Sequence, residues 1–157
     1  RWDYAKILTA VKDYFGGTWK FVLRLHPNIN FLDSEFKFGN GIVNGSQYDD
    51  MQELIQRADI IITDYSGVMM QAALAGKYVM LLIPDKRAYL DERGLCIDIE
   101  KAPFPKGSSC EDLVNIIYKQ NFEEYKENLK TFLNTFEFYD DGFASNRVAS
   151  KVLEYME

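Results

Sequence analysis

Apolar residues recur along this chain on two periods, and the alternation between them predicts most of its elements. Ile7, Leu8, Val11, Tyr14 and Phe15 fall at helical spacing. Gly16-Gly17 closes that helix, since glycine takes the left-handed C-terminal conformation at little cost. WKFVLRL at 19–25 predicts a strand, stopped at His26-Pro27-Asn28 because proline cannot donate to a ladder. Residues 30–41 read as a loop, and GIVN at 41–44 as a short strand. Asp49 or Asp50 opens the next helix, with Asp49 and Gln52 in a capping-box-like pair. Met51, Leu54, Ile55 and Ala58 form its apolar face.

The pattern then changes. DIIIT at 59–63 and KYVMLLI at 77–83 are almost wholly apolar, as suits strands covered on both faces of a parallel sheet. Between them, Asp64-Tyr65-Ser66-Gly67 turns the chain into VMMQAALA at 68–75, a helix apolar nearly all round and therefore expected to be buried. The region from Pro84 to Gly94 reads as a loop, and LCIDI at 95–99 as a last strand. KAPFPKGS at 101–108 is the best linker candidate, short enough to be an ordered loop. Helical patterns follow near 109–119, 122–136 and 145–156. Buried strands alternating with helices predict an α/β fold: one mainly parallel, Rossmann-like sheet with helices on both faces.

Composition narrows the function without naming it. The 157 residues fit one domain. With 11 Phe, 10 Tyr and 2 Trp the chain has ample apolar area for a core. Lys and Arg number 18 against 24 Asp and Glu, a net charge of -6, which excludes a global basic footprint for nucleic acid or anionic membrane but leaves room for a local anion site. Cys96, in an apolar run, reads as a small buried hydrophobe, and Cys110 lies near a helix start; their spacing fits no metal site. No apolar run approaches the roughly 20 residues of a membrane span. The chain opens on Arg1 directly at a helical pattern, as a piece of a longer protein would.

In open α/β sheets ligands bind at the carboxyl ends of the strands. Three loops there hold polar groups: His26-Pro27-Asn28, Asp64-Tyr65-Ser66-Gly67, and the region Pro84 to Gly94. Ser66 and the Gly67 amide suit a phosphate at a helix N-terminus, and Ser66 suits an ordinary N-cap equally well. Asp64 would repel phosphate unless its carboxylate turns elsewhere, for instance to cap the helix. His26, the single histidine, fits either a phosphate ligand that shifts protons near neutral pH or a structural imidazole. Arg93 fits bidentate phosphate binding or a surface ion pair within Asp91-Glu92-Arg93. Tyr139-Asp140-Asp141-Gly142 lacks a metal-ligand spacing and reads as a polar turn. Ser145 reads as an N-cap, and Arg147, in the first turn and opposed to the helix dipole, calls for an anionic partner.

The order of these pieces carries a resemblance. LRLHPN at 23–28, DMQELIQRADIIITDYSG at 50–67, DERG at 91–94 and DGFASNRVA at 141–149 together resemble the carboxyl-terminal half of the CDP-glycerol glycerophosphotransferases, the teichoic acid polymerase family, from about residue 5 to the end. The resemblance implies the carboxyl-terminal, donor-binding lobe of a two-lobe GT-B architecture, with residues 1–157 as a single lobe of a longer protein. It implies a CDP-glycerol or related CDP-alcohol donor and a polymer or lipid-linked acceptor held through the other lobe. It implies a peripheral position at the inner face of the cell membrane for the longer protein; no metal-ligand cluster is visible in the sequence, so no protein-bound metal and no cofactor are expected. By the same resemblance His26, with Arg24 nearby, meets the donor pyrophosphate and is the catalytic candidate. Ser66 matches the first serine of the family's usual DYSS, whose second serine is here Gly67; Arg93 matches its RG; Ser145 and Arg147 match its ASxR. Asn28 and Asp64 are further contact candidates. A GT-B sugar transferase lobe with another nucleotide donor, and a non-catalytic nucleotide- or partner-binding module, are the competing readings.

Overall fold

The computed structural model describes residues 3–25, 36–136 and 141–156. The first helix, α1 (Tyr4–Phe15), starts at Asp3, whose carboxylate accepts from the Lys6 amide, and stops at Gly16 with φ 69°. β1 (Phe21–Leu23) and β2 (Ile42–Asn44) pair in parallel, Phe21 opposite Ile42. Then follow α2 (Met51–Arg57), β3 (Ile60–Thr63), α3 (Val68–Leu74), β4 (Tyr78–Leu82), α4 (Lys86–Glu92), β5 (Lys106–Gly107), α5 (Cys110–Lys119), α6 (Phe122–Asn134) and α7 (Ala144–Glu154).

Among the described residues the strands pair in parallel, as the apolar runs suggest, with one isolated antiparallel bridge between Gly39 and Ile42. The pairing divides, however, into β1–β2 and β3–β4–β5 rather than forming the one sheet expected. β4 is the centre of the fold. Tyr78, Val79, Met80 and Leu81 are all buried. Neighbours along a strand point to opposite faces, so both faces of β4 are covered. α3 and α5 pack on β4, α3 also meets α6, and α1 lies along α5. Tyr125 on α6 fastens this layer: its hydroxyl accepts from the Val79 amide at 3.0 Å and donates to the Lys77 carbonyl at 3.1 Å.

The expected strand at 95–99 does not form. Asp98 accepts from the Glu100 amide, and its carbonyl accepts from the Lys101 amide, so a tight turn takes the backbone groups a ladder would need. The fifth strand lies instead at Lys106–Gly107, inside the segment read as a linker, where Pro105 and Gly107 carbonyls accept from the Leu81 and Ile83 amides. Gly107 is there for space: a Cβ would stand 2.8 Å from the Asp112 Cβ and 3.2 Å from a Leu113 methyl on α5.

Smaller corrections follow the same logic. Asp50, not Asp49, caps α2, accepting from the Gln52 and Glu53 amides. α3 buries Met69, Ala72 and Ala73 but leaves Leu74 exposed. The region read as a loop after β4 contains α4. Cys96 is exposed rather than buried, since the strand expected around it does not form; Cys110 is buried, and both thiols are free.

Candidate functional site

Parallel pairing of β3 with β4, Thr63 opposite Leu81, releases both following loops at the same edge of the sheet. The two loops meet there. The Tyr65 hydroxyl donates to Asp85 Oδ1 at 3.0 Å. The Tyr65 and Tyr89 rings stack with centroids 3.8 Å apart and planes 12° apart. Arg93, one turn beyond Tyr89, holds its guanidinium 5.9 Å from the Tyr89 ring centroid, within cation–π range. Among the described residues no ion pair joins Arg93 to Asp91 or Glu92.

Within the β3 loop the polar groups are arranged around the backbone. Asp64 Oδ1 accepts from the Ser66 amide at 3.0 Å, so the carboxylate is turned onto its own loop. Ser66 does not take the N-cap position of α3. Gly67 does, and the Ser66 hydroxyl accepts from the Val68 amide at 3.3 Å. Ser66 and Gly67 are both exposed, and a side chain at Gly67 would meet no atom within 4 Å. Burial, then the Asp85 carboxylate, push the Tyr65 hydroxyl well above its ordinary range, so it stays a protonated donor at neutral pH.

The other described candidates lie on other elements. Arg24 follows β1, and its guanidinium donates to the Tyr48 carbonyl, a contact that fixes the side chain and leaves its charge uncompensated by that partner. Beside it the Leu25 amide donates to the buried Ser46 hydroxyl. Ser145 lies inside α7, one residue past its start, with Phe143 at the cap position. Arg147 has the anionic partner its helix position called for: one guanidinium nitrogen donates to both Asp141 carboxylate oxygens at 2.7 Å. That contact, with the Phe143 amide, holds the Asp141 carboxyl below its ordinary value. His26, Pro27 and Asn28 lie outside the described residues, as do Tyr139 and Asp140. Among the described residues no group of three His, Cys, Asp or Glu side chains is placed to hold a metal ion.

Three residues at the junction escaped sequence reasoning: Tyr65 as a side chain in its own right, Asp85 and Tyr89. The available signal was the spacing Asp85, Tyr89, Arg93, one helical turn at each step.

Residues 5–154 match the family model described as CDP-Glycerol:Poly(glycerophosphate) glycerophosphotransferase, which takes in both loops and α7. The chain belongs to that family. A teichoic acid poly(glycerol phosphate) polymerase from Bacillus spizizenii is 30% identical over 153 residues, covering 93% of this chain and 38% of the relative. A teichoic acid poly(ribitol-phosphate) polymerase from the same organism is 26% identical, covering 96% and 24%. A solved structure of the wall teichoic acid polymerase TagF superposes with a TM-score of 0.71 at 25% identity, covering 97% of this chain and 40% of that one. The chain therefore spans about two fifths or less of these relatives, and it shares its α/β architecture with the TagF structure.

Proposed function

We propose that this chain is the donor-binding lobe of a CDP-glycerol, or related CDP-alcohol, glycerophosphotransferase. The observation that carries the reading is the family match across residues 5–154, with the exposed Ser66-Gly67 turn at the carboxyl edge of the sheet inside it. In the reaction, an acceptor hydroxyl oxygen bonds to the phosphorus of the alcohol phosphate. The bond from that phosphorus to the bridging oxygen breaks, CMP leaves, and the hydroxyl proton passes to a base. Such chemistry asks for positioning and for neutralisation of charge on the departing phosphate. His26 neutralises or protonates the leaving phosphate. The Ser66 hydroxyl, the Gly67 amide and Arg93 hold the diphosphate, joined by Arg24, two residues before His26 in the sequence. Asn28, Asp64, Ser145 and Arg147 are secondary contacts or supports.

The lobe belongs to a longer two-lobe protein whose other lobe brings a polymer or lipid-linked acceptor and the base. That protein works at the inner face of the cell membrane as a peripheral enzyme. No helix among the described residues is long and apolar enough to cross a membrane.

Calorimetry with CDP-glycerol, CDP-ribitol, CMP and a UDP-sugar tests the donor. A CDP-alcohol is expected to bind and a UDP-sugar to bind more weakly; preference for the UDP-sugar returns the sugar-transferase reading. His26→Ala is expected to weaken CDP-glycerol by about 1–3 kcal/mol, a charge-assisted bond, and Ser66→Ala by less, since the amides remain. Equal binding by wild type and His26→Ala removes His26 from the site. The 157-residue chain alone should release little CMP, and robust release would overturn the division between lobes.

A further inference from the structure

Tyr65 stands in the motif loop, yet the donor reading gives it no task. Its side chain holds α4. That helix has seven residues and buries none of them, so packing on the core does not fix it. A helix this short is marginal by itself. Asp85 occupies the position before α4, and its carbonyl accepts from the Tyr89 amide, but its side chain caps none of the helix amides; the carboxylate accepts from Tyr65 instead. An ion pair from Lys86 to Glu100 ties down the first residue. The middle of the helix is tied by Tyr89, through its stack on Tyr65. Two of these three attachments thus end on Tyr65, and the last turn carries Arg93 over the ring of Tyr89.

We propose that Tyr65 is a positioning residue: its hydroxyl on Asp85 and its ring on Tyr89 fasten α4 to the β3 loop and set where the Arg93 guanidinium stands relative to Ser66 and Gly67. The inference rests on the donor reading above, in which Arg93 bonds donor phosphate. It makes the two loops one unit. A guanidinium serves a diphosphate only while its planar fork is held in register with the other donors. On an unattached helix it would have to be ordered anew at each binding event, which weakens binding.

The test uses the intact protein and two readouts. Hydrogen exchange over residues 86–94 reports the fastening without any ligand. Tyr65→Leu and Tyr89→Leu, which remove the stack from opposite sides, should each speed exchange there and leave β4 unchanged. Tyr65→Phe keeps the stack and loses the Asp85 bond, so its effect should be smaller. Calorimetry with CDP-glycerol reports the consequence. Arg93→Ala should weaken binding roughly tenfold to a hundredfold, the range of a charge-assisted bond. Tyr65→Leu should weaken it by no more than that. In the Arg93→Ala background Tyr65→Leu should add less than about twofold, because its effect runs through Arg93. A general structural role would instead add its full cost in that background.

Unchanged exchange in both leucine variants overturns the fastening. Additive losses in the double variant overturn the route through Arg93. Normal CDP-glycerol binding by Arg93→Ala also overturns the proposal, while a weakened His26→Ala then leaves the donor reading standing. Failure of the wild-type protein to bind CDP-glycerol sinks the donor reading and the positioning role together, with the exchange result still deciding whether Tyr65 holds α4.

Discussion

β4 and the β1–β2 pair are built from similarly apolar residues but do different work. Four consecutive residues of β4 are buried, whereas β1 and β2 leave Val22 48% and Val43 41% exposed. β4 has strands on both sides and is buried along its length; among the described residues β1 and β2 pair as strands with each other alone, with Phe21 against Tyr4 of α1. Burial on both faces makes a strand intolerant of change at every position, while a two-stranded pair tolerates change on its open side. Ser66, Gly67 and Arg93 hang from the intolerant side, on loops and the helix that follow β3 and β4, whereas Arg24 follows β1. The placement of those three groups is therefore inherited from the most buried layer among the described residues.

Truncation should separate the two regions most sharply. Met80→Ala, at a fully buried position, is expected to cost about 2–5 kcal/mol in urea unfolding. Val43→Ala should cost less than about 1 kcal/mol, since the exposed side chain gives up little buried surface. Equal costs would break the comparison.

A pair of hydroxyl deletions around β4 sharpens it further. Tyr125→Phe strips the Val79 amide of its partner and should cost about 1–3 kcal/mol. Tyr78→Phe goes the other way. Its hydroxyl is buried with no hydrogen-bond partner among the described residues, so removal should leave stability unchanged or raise it by up to about 1 kcal/mol. Burial pushes both hydroxyls up to about 12. Unfolded tyrosine loses its proton near pH 10. Between about pH 10 and 12 the unfolded chain thus binds fewer protons than the folded one, and stability must fall as pH rises through that window. The Tyr125→Phe and Tyr78→Phe variants should each flatten this fall, measured as unfolding midpoint against pH.

The smallest expected effect lies at the loop itself. Gly67→Ser finds open space and an ordinary helical backbone, φ -56°. It should stabilise by a few tenths of a kcal/mol, because serine is the better residue at a helix start. In calorimetry it should also bind CDP-glycerol more tightly than wild type, by restoring the hydroxyl that the family's DYSS provides. Weaker binding would mean that the glycine serves close approach of the donor.

What the sequence made legible was whatever the core enforces. The runs at 59–63 and 77–83 could only be strands covered on both faces, and α5 and α6 carry apolar stripes because they pack inward. β5 was illegible because Lys106 and Gly107 have no strand character of their own; their conformation is imposed by the open edge of β4. α4 was illegible because it buries nothing and so writes no period. LCIDI misled because Ile99 is buried, at 2% exposure, in a turn rather than in a ladder. The motif loop was found, but its Tyr65 contacts depend on a helix that no apolar pattern announces and that only the polar and aromatic spacing of Asp85, Tyr89 and Arg93 betrays. Ser145 matched the composition of a cap, yet the helix begins a residue earlier, and the Asp141 carboxylate accepts the Phe143 amide.

Gly107 shows how a functional map of such a protein can mislead. Any side chain there runs into the first turn of α5, with a backbone nitrogen of Leu113 only 3.4 Å from where the Cβ would stand. A saturation screen scored on enzyme activity would find the position nearly as unforgiving as a catalytic one. The cause would be steric exclusion beneath the sheet, and only a screen scored in parallel for protein abundance would tell such a position from one that touches donor.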